Sequence, residues 1–444
     1  MDHCSARLSL VCLLLATCLA AAATAESPSP IDLKTGELEV STSFSHLDPV
    51  VTHAVSSIER GRTWFRYDPF GSRLFFTDAL RLNEVLAGVT PRQALALGVK
   101  VDSDNLPGSV RDALRRGEVD LDDPAVTRFL FQRFAVVGVV AEVTDDGKLE
   151  NLGITCALCH STVDDSLAPG VGRRLDGWAN RDLDVGTILS LAPNLQPFAD
   201  LLGVPVDTVR AVLQSWGPGR FDAHLNLDGK AFRPDGASGS VLIPPAFGLA
   251  GVNLHTYEGW GSVTYWNAFV AGHEMNGLGR FYDPRLADAE KYPIAAAAGL
   301  DDVREVPDLV TRRLADLHLY QLAMPAPTPP EGSFDPEAAA RGGTLFLGKA
   351  ACADCHVPPL FTEPGWNLHT PEEIGIDSFQ ADRGPEGRYR TTPLKGLWSH
   401  MRGGFYHDGR FETLLEVIEH YDQHFDLELT DAEKADLTEY LKSL

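Results

Sequence analysis

The chain has 444 residues and a formal charge of −24, with 62 acidic against 38 basic side chains. That balance excludes nucleic acid and anionic membrane surfaces as partners. It favours docking of a basic redox protein, though an acidic surface also serves solubility alone. The length is enough for two or three domains with ordinary cores.

At the N-terminus Arg7 is the only firmly basic side chain. An apolar run from Leu8 to Ala23 follows and ends in Ala23-Thr24-Ala25, the pattern of a secretory signal peptide cut after Ala25, spanning residues 1–25. The run is short for a membrane span and no later stretch reaches the length one needs, so no span is expected. A lipoprotein signal through Cys18 is the alternative, but Thr17 before the cysteine suits it poorly. Of the seven cysteines, Cys4, Cys12 and Cys18 leave with the signal. The remaining four stand in two pairs, leaving no thiol for a disulfide although an oxidising compartment would permit one.

Residues 26–130 read as an N-terminal extension, polar and irregular to about residue 70. Helical signals begin at Leu74. Thr90-Pro91 is a cap with proline at the first helical position, and Gly98 stops that helix. Asp123-Pro124 opens another, with Val126, Phe129, Leu130 and Phe134 on one face. From Val136 to Val143 the texture turns to valine, Asp146-Gly147 is a turn pair, and Leu149 to Ile154 returns. This predicts a β-hairpin.

The hairpin delivers the chain into Cys156-Ala157-Leu158-Cys159-His160, and Cys352-Ala353-Asp354-Cys355-His356 repeats the pattern. C-x-x-C-H is the attachment signature of c-type haem. Two thiols one helical turn apart add to the two vinyl groups of one porphyrin, and the histidine is held under the iron. Cys156 and Cys159 with His160, and Cys352 and Cys355 with His356, therefore predict two covalently bound haem c groups. A single tetrathiolate zinc site from the two pairs is disfavoured by their separation and by both trailing histidines. Covalent haem on an exported chain implies the periplasm.

Beyond the first motif, Arg173 and Arg174 are candidate partners for haem propionates. Residues 183 to 216 read as helix and turn, and 217 to 253 mostly as loop. No internal repeat is apparent apart from the motifs. Four prolines between Met324 and Ser333 mark a linker, 325–334. Asp335-Pro336-Glu337 caps a helix through Leu347 that runs into the second motif. Thr430 and Glu433 form a capping box ahead of a terminal helix with Leu437, Tyr440, Leu441 and Leu444 on one face. The expected fold is mainly α, with two cytochrome c-type haem domains at 131–324 and 335–444.

Three stretches of the second domain carry a resemblance. They are Arg388-Tyr389-Arg390-Thr391-Thr392-Pro393-Leu394-Lys395-Gly396-Leu397-Trp398, then Phe405-Tyr406-His407-Asp408-Gly409-Arg410, and then Thr413 to Tyr421. Together they resemble the second-haem domain of bacterial di-haem cytochrome c peroxidases, a superfamily that includes MauG-type enzymes and di-haem rubber oxygenases. The likeness is specific over residues 335 to 444 and looser from about 130 to 285. The long N-terminal part looks more like the rubber-oxygenase side.

The resemblance implies one haem open to peroxide or oxygen and one that handles electrons. Di-haem peroxidases carry a histidine soon after the first motif that caps the resting iron. Here neither histidine nor methionine occurs between His160 and His224, which leaves the first iron open unless His224, His273 or Met275 folds over it. For the second haem the position matching the family's methionine or tyrosine ligand is Tyr421. Periodicity agrees, because Leu414, Val417, Ile418 and Tyr421 share a face from which His420 is excluded. His420, Met401 and His400 are the reserves, and His407 is expected to secure its turn or a propionate.

By position, Trp266 matches the family's tryptophan relay, and His273 or Glu274 its distal acid. A buried aromatic and a helix end would explain them equally well. Asn180, Thr392 and Pro393 match calcium ligands. The expected activity is peroxide reduction with electrons from a small c-type cytochrome or other periplasmic donor. The alternatives are an electron carrier without peroxide chemistry and an oxygenase acting on an organic substrate.

Overall fold

In the computed structural model residues 48–400 and 402–444 are described. The signal peptide and Met401 lie outside them. Met1–His53 and Ala54–Leu444 separate as two units, and the account below concerns the second. No helix among the described residues is long and apolar enough to cross a membrane.

The stretch expected to be irregular up to residue 70 holds a 19-residue helix, Pro49–Tyr67. Its buried face consists of Ser57, Gly61 and Phe65. Two of those three positions are small and polar or bare, so no apolar stripe marks the helix in the sequence. It crosses the helix Leu314–Ala323 so closely that a Cβ on Gly61 would lie 2.1 Å from the Asp316 carbonyl oxygen. Arg60 pairs with Asp316 at 2.8 Å, and Phe65 meets Tyr320 edge-on with centroids 5.5 Å apart.

The same crossing recurs in the second half. Helix Pro336–Leu347 packs on Asp431–Ser443, and a Cβ on Gly342 would lie 2.0 Å from the Asp436 carbonyl oxygen. Arg341 pairs with Asp436 at 2.7 Å, and Phe346 meets Tyr440 at 5.1 Å. Aligned by contact, Arg60 to Phe65 and Arg341 to Phe346 both read R-G-x-T-x-F, while Asp316 to Tyr320 and Asp436 to Tyr440 both read D-L-x-x-Y. The chain thus contains a repeat beyond the two motifs, against expectation. Its signature is split across distant helices, so no contiguous stretch displays it.

Between these frames the local predictions hold. Thr90 forms a capping box with Gln93 ahead of Pro91–Ala96, and Asp123 caps Pro124–Gln132. Val139–Val143 and Leu149–Ile154 pair antiparallel, with a register shift at Glu142/Val143. Helices Val185–Ser190, Gln196–Leu202 and Val206–Gln214 occupy the predicted helix-and-turn region. Met324 to Ser333 carries neither helix nor strand. The described residues are mostly helical, with five two-stranded ribbons.

The apolar interior divides around the motifs. One cluster joins Leu158 and Cys159 to Leu189, Leu213, Trp216 and Leu225. A second packs Cys156 with Phe65, Met275, Leu317 and Tyr320. A third gathers Phe346, Leu397, Ile418 and Leu437 around Cys352. A fourth, built on Trp260, Trp266, Phe269 and Tyr292, contains neither motif.

Candidate functional site

Each motif presents its histidine in the same way. His160 Nδ1 lies 3.1 Å from the Pro244 carbonyl oxygen, and His356 Nδ1 lies 3.1 Å from that of Phe361. Donation from Nδ1 fixes the tautomer and leaves Nε2 as a free lone pair, which an iron ligand needs. Burial holds both imidazoles neutral, lowering each to about 4.

The four cysteines are unbridged. Burial raises the Cys156 and Cys159 thiols to about 12 and the Cys352 thiol to about 11. Neutral thiols one turn apart beside a histidine with an open Nε2 fit a covalently attached haem. Among the described residues, the clusters of metal-ligating type are Cys355, Glu363, His369 and Asp377, His407, Asp408. Neither unites the two cysteine pairs. The second is already neutralised, since Arg233 and Arg410 both ion-pair with Asp377 and Asp408.

Thr413 caps the helix Leu414–Phe425 through a box with Glu416. Tyr421 stands on that helix toward the second motif. Burial raises its phenol, and the Cys355 and Cys352 thiols add to the rise. Tyr406 lies 6.2 Å away, centroid to centroid, and its hydroxyl interacts with that of Tyr421, which offsets part of the rise. His420 turns elsewhere and bonds the Ile374 carbonyl oxygen at 2.9 Å.

The segment carrying the other candidates is the helix Val263–Phe269, continued as one π turn, Val270–Glu274, a distortion that often accompanies a working site. The structure separates its members. Trp266 sits in the aromatic cluster away from both motifs. His273 stacks on Phe269 at 4.8 Å, and its Nδ1 and Nε2 face the carbonyl oxygens of Phe269 and Leu300 at 3.2 and 2.9 Å. The ring is a packing element with no nitrogen left for proton transfer.

Glu274 differs. It is buried with Oε1 unpartnered, and burial together with the nearby Asp222 carboxylate pushes its carboxyl well above the usual range. It lines a cavity of about 30 Å³ with Leu189, Leu213, Trp216, Phe221 and Asp222, in the cluster that contains Cys159. A water needs about 10–15 Å³ by the same measure, so the cavity takes a molecule the size of water or peroxide.

Sequence reasoning missed what surrounds Glu274. Burial raises Asp222 to about 6, against the opposing charge of Arg383. Arg383 is fully buried. Its Nε and Nη2 reach Asp228 at 2.8 and 3.0 Å, and its Nη1 reaches the Gly239 carbonyl oxygen at 2.9 Å. Nη2 also meets Asp222 at 2.8 Å. Gln380 bridges His224 and Glu258. Trp260 lies 5.6 Å from His224 and 5.9 Å from Trp266. The pattern Asp222-Ala223-His224, two titratable groups just past a Gly-Pro-Gly turn, was the available signal.

Trp178, which packs with the Cys156 cluster, meets Trp398 edge-on at 5.3 Å. Leu397, beside Trp398, belongs to the Cys352 cluster. This pair lies between the Cys156 cluster and the segment that includes Leu397. Asn180 buttresses the first motif, donating its backbone N–H to the Cys159 carbonyl oxygen at 2.8 Å and its side-chain amide to that of Gly98 at 3.0 Å. Thr392 is exposed and Pro393 half-buried.

No protein-family model matches the chain. Over 122 residues, 24% of the chain, it is 31% identical to the methylamine utilization protein MauG of Methylorubrum extorquens. The match spans about a third of that relative's length, 34%. The resemblance to the MauG superfamily read from the motifs therefore holds. Among solved structures, a MauG-like protein associated with microbial copper homeostasis aligns at 20% identity and a TM-score of 0.32, covering 51% of this chain and 78% of that one. Kuenenia stuttgartiensis hydrazine synthase aligns at 19% and 0.28, covering 50% and 86%.

Proposed function

We propose, from the resemblance to MauG and the di-haem peroxidases, that the chain is a periplasmic di-haem oxidoreductase. It reduces hydrogen peroxide with electrons from a small c-type cytochrome. The observation that carries the reading is Glu274, a buried, unpartnered carboxyl, raised by its burial, that faces a peroxide-sized cavity in the same cluster as Cys159.

Cys156, Cys159 and His160 hold one haem. Cys352, Cys355 and His356 would hold the other, with Tyr421 as a further side chain able to contact it. When bound, the haems supply a redox iron for cleaving the peroxide bond and a second centre that passes electrons. The chain's own residues do the rest. Glu274 holds a proton at Oε1 and delivers it to the departing oxygen. Leu189, Leu213, Trp216 and Phe221 keep bulk water from the cavity. Asp222, held by Arg383, keeps the Glu274 carboxyl protonated by its own negative charge. The first haem domain spans 131–324 together with helix Pro49–Tyr67, and the second spans 335–444. Calcium is assigned no role in the proposal.

A second reading, an electron carrier with both irons capped, is favoured by one observation. Met275 is buried in the Cys156 cluster, where a thioether could close the first iron. The oxygenase reading suits the small cavity less well, since an organic substrate needs more room. Optical and electron paramagnetic resonance spectra of the purified protein, before and after peroxide, separate the two. A high-spin haem that reacts with peroxide, followed by turnover with reduced cytochrome c, supports the proposal. Two low-spin haems inert to peroxide refute it.

A further inference from the structure

Arg181 is tied to the first motif through its neighbours. Asn180 N–H donates to the Cys159 carbonyl oxygen and Gly177 N–H to that of His160, each at 2.8 Å. Its Nε and Nη1 are sealed from solvent and have no hydrogen-bond partner. The nearby arginines each have an acidic partner, as Arg181 does not. Arg173 pairs with Asp164 at 3.1 Å, Arg174 Nε with Asp102 at 3.0 Å, and Arg66 with Asp176 at 2.6 Å. The Nη1 and Nη2 of Arg174 are sealed and unpartnered as well, so of the two expected propionate partners Arg174 keeps free donors.

Arg181 faces the segment that follows Trp398. A Cβ on Gly403 would lie 3.7 Å from its Nη1. On the same segment His400 is 8% exposed. Its Nε2 is sealed and unpartnered, and its ring rests on Phe247 at 5.6 Å. The other polar groups there are engaged or add positive charge. The Tyr257 hydroxyl bonds the Leu242 carbonyl oxygen at 3.0 Å, and Arg220 reaches the Asp408 carbonyl oxygen at 2.7 Å. No ion pair to Arg181 occurs among the described residues, although the chain carries an excess of acids.

A buried guanidinium without a counter-charge costs several kcal/mol; the Tyr257 hydroxyl that hydrogen-bonds Arg181 is neutral, and buried donors are nearly always satisfied. An anionic acceptor would supply the missing counter-charge. We infer that Arg181, with His400 across from it, seats a propionate carboxylate of one of the two haems at the junction of the two motif-bearing segments. The inference rests on the di-haem reading. The propionate could belong to either haem, and the test distinguishes them.

The test is made on the full haem-loaded chain. Covalent haem is quantified first, and each haem is then titrated spectroelectrochemically across pH. In Arg181→Met the propionate loses its counter-charge. The midpoint potential of one haem should fall and become pH-dependent as that carboxylate protonates. Arg181→Lys keeps the charge but not the fork and should give a smaller shift of the same haem. His400→Phe should perturb that haem as well, and Arg173→Gln should change nothing. The haem that moves owns the propionate. Haem-replete Arg181→Met with both potentials unmoved overturns the inference while leaving the di-haem reading intact. Should Arg181→Met fail to mature, an unshifted Arg181→Lys overturns it equally. Wild-type protein without covalent haem would remove both.

Discussion

Replacing Arg383 with methionine tests the buried charge cluster most directly. The arginine side chain is 0% exposed and its partners Asp222 and Asp228 are 1% exposed. The substitution keeps the aliphatic volume but leaves two carboxylates without their cation. Removing one member of such a set costs about 3–5 kcal/mol. For a unit running from Ala54 to Leu444, a melting entropy near 2.1 cal/mol/K per residue gives about 0.8 kcal/mol/K, hence a fall in Tm of about 4–6 °C. The sign with pH is fixed. A carboxyl whose folded pKa is raised, as Asp222 is to about 6, costs no stability below its unfolded pKa near 3.8. The cost grows as pH rises from about 3.8 and is complete once pH passes the folded value of about 6. Arg383 opposes that rise, so the variant's deficit should be full at neutral pH and shrink toward pH 4. Calorimetry at pH 7 and pH 4 reads both effects. A Tm within 1 °C of wild type at pH 7 would refute the reasoning. The triple exchange Arg383→Met, Asp222→Asn, Asp228→Asn should recover much of the loss.

Glu274→Gln should slow the reaction with peroxide by about 10²–10⁴-fold, the usual weight of a general acid. In wild type that rate should fall as pH rises through the raised Glu274 pKa, and stopped-flow mixing across pH should show the glutamine variant losing this limb. Tyr421→Phe should alter the optical spectrum of one haem and leave the other unchanged; unaltered spectra would remove it from the ligands. Gly61→Ala and Gly342→Ala should each destabilise the protein in urea. The overpacking cost of about 1–3 kcal/mol exceeds the roughly 1 kcal/mol that alanine contributes to helix propensity. A stabilised variant would show that the helices part freely.

What was legible in the sequence was local. The caps at Thr90 and Thr430 appear where expected, because each is closed within four residues. The same holds for the hairpin ending at Ile154 and for the motifs, whose histidines keep Nε2 open. Partners far apart in the chain stayed hidden. Helix Pro49–Tyr67 carries no apolar stripe, since its core contact is a glycine pressed on a backbone carbonyl more than 250 residues away. Arg383 looks like an ordinary basic helix end until the fold seals it against Asp228, 155 residues earlier. His273 and Glu274 are adjacent and equally plausible as acids on paper. The π turn sends one into packing and the other to the cavity.

The two halves share one frame, Arg-Gly and Phe on the entering helix against Asp-Leu and Tyr on the closing one. They differ in what lies between. In the second copy the frame closes over a short path from Pro336 to Ser443. In the first, the path from Pro49 to Ala323 admits the added stretch that brings in Asp222, Trp260 and Glu274. On the proposed reading, the acid beside the first haem comes from the longer path in the first copy and not from a different scaffold. That path is not self-sufficient. The cation that pairs with Asp222 and Asp228 is Arg383, which belongs to the second copy. Detaching residues 335–444 would leave Asp222 without its cation, and through it would change the proton held at Glu274 before either motif was touched.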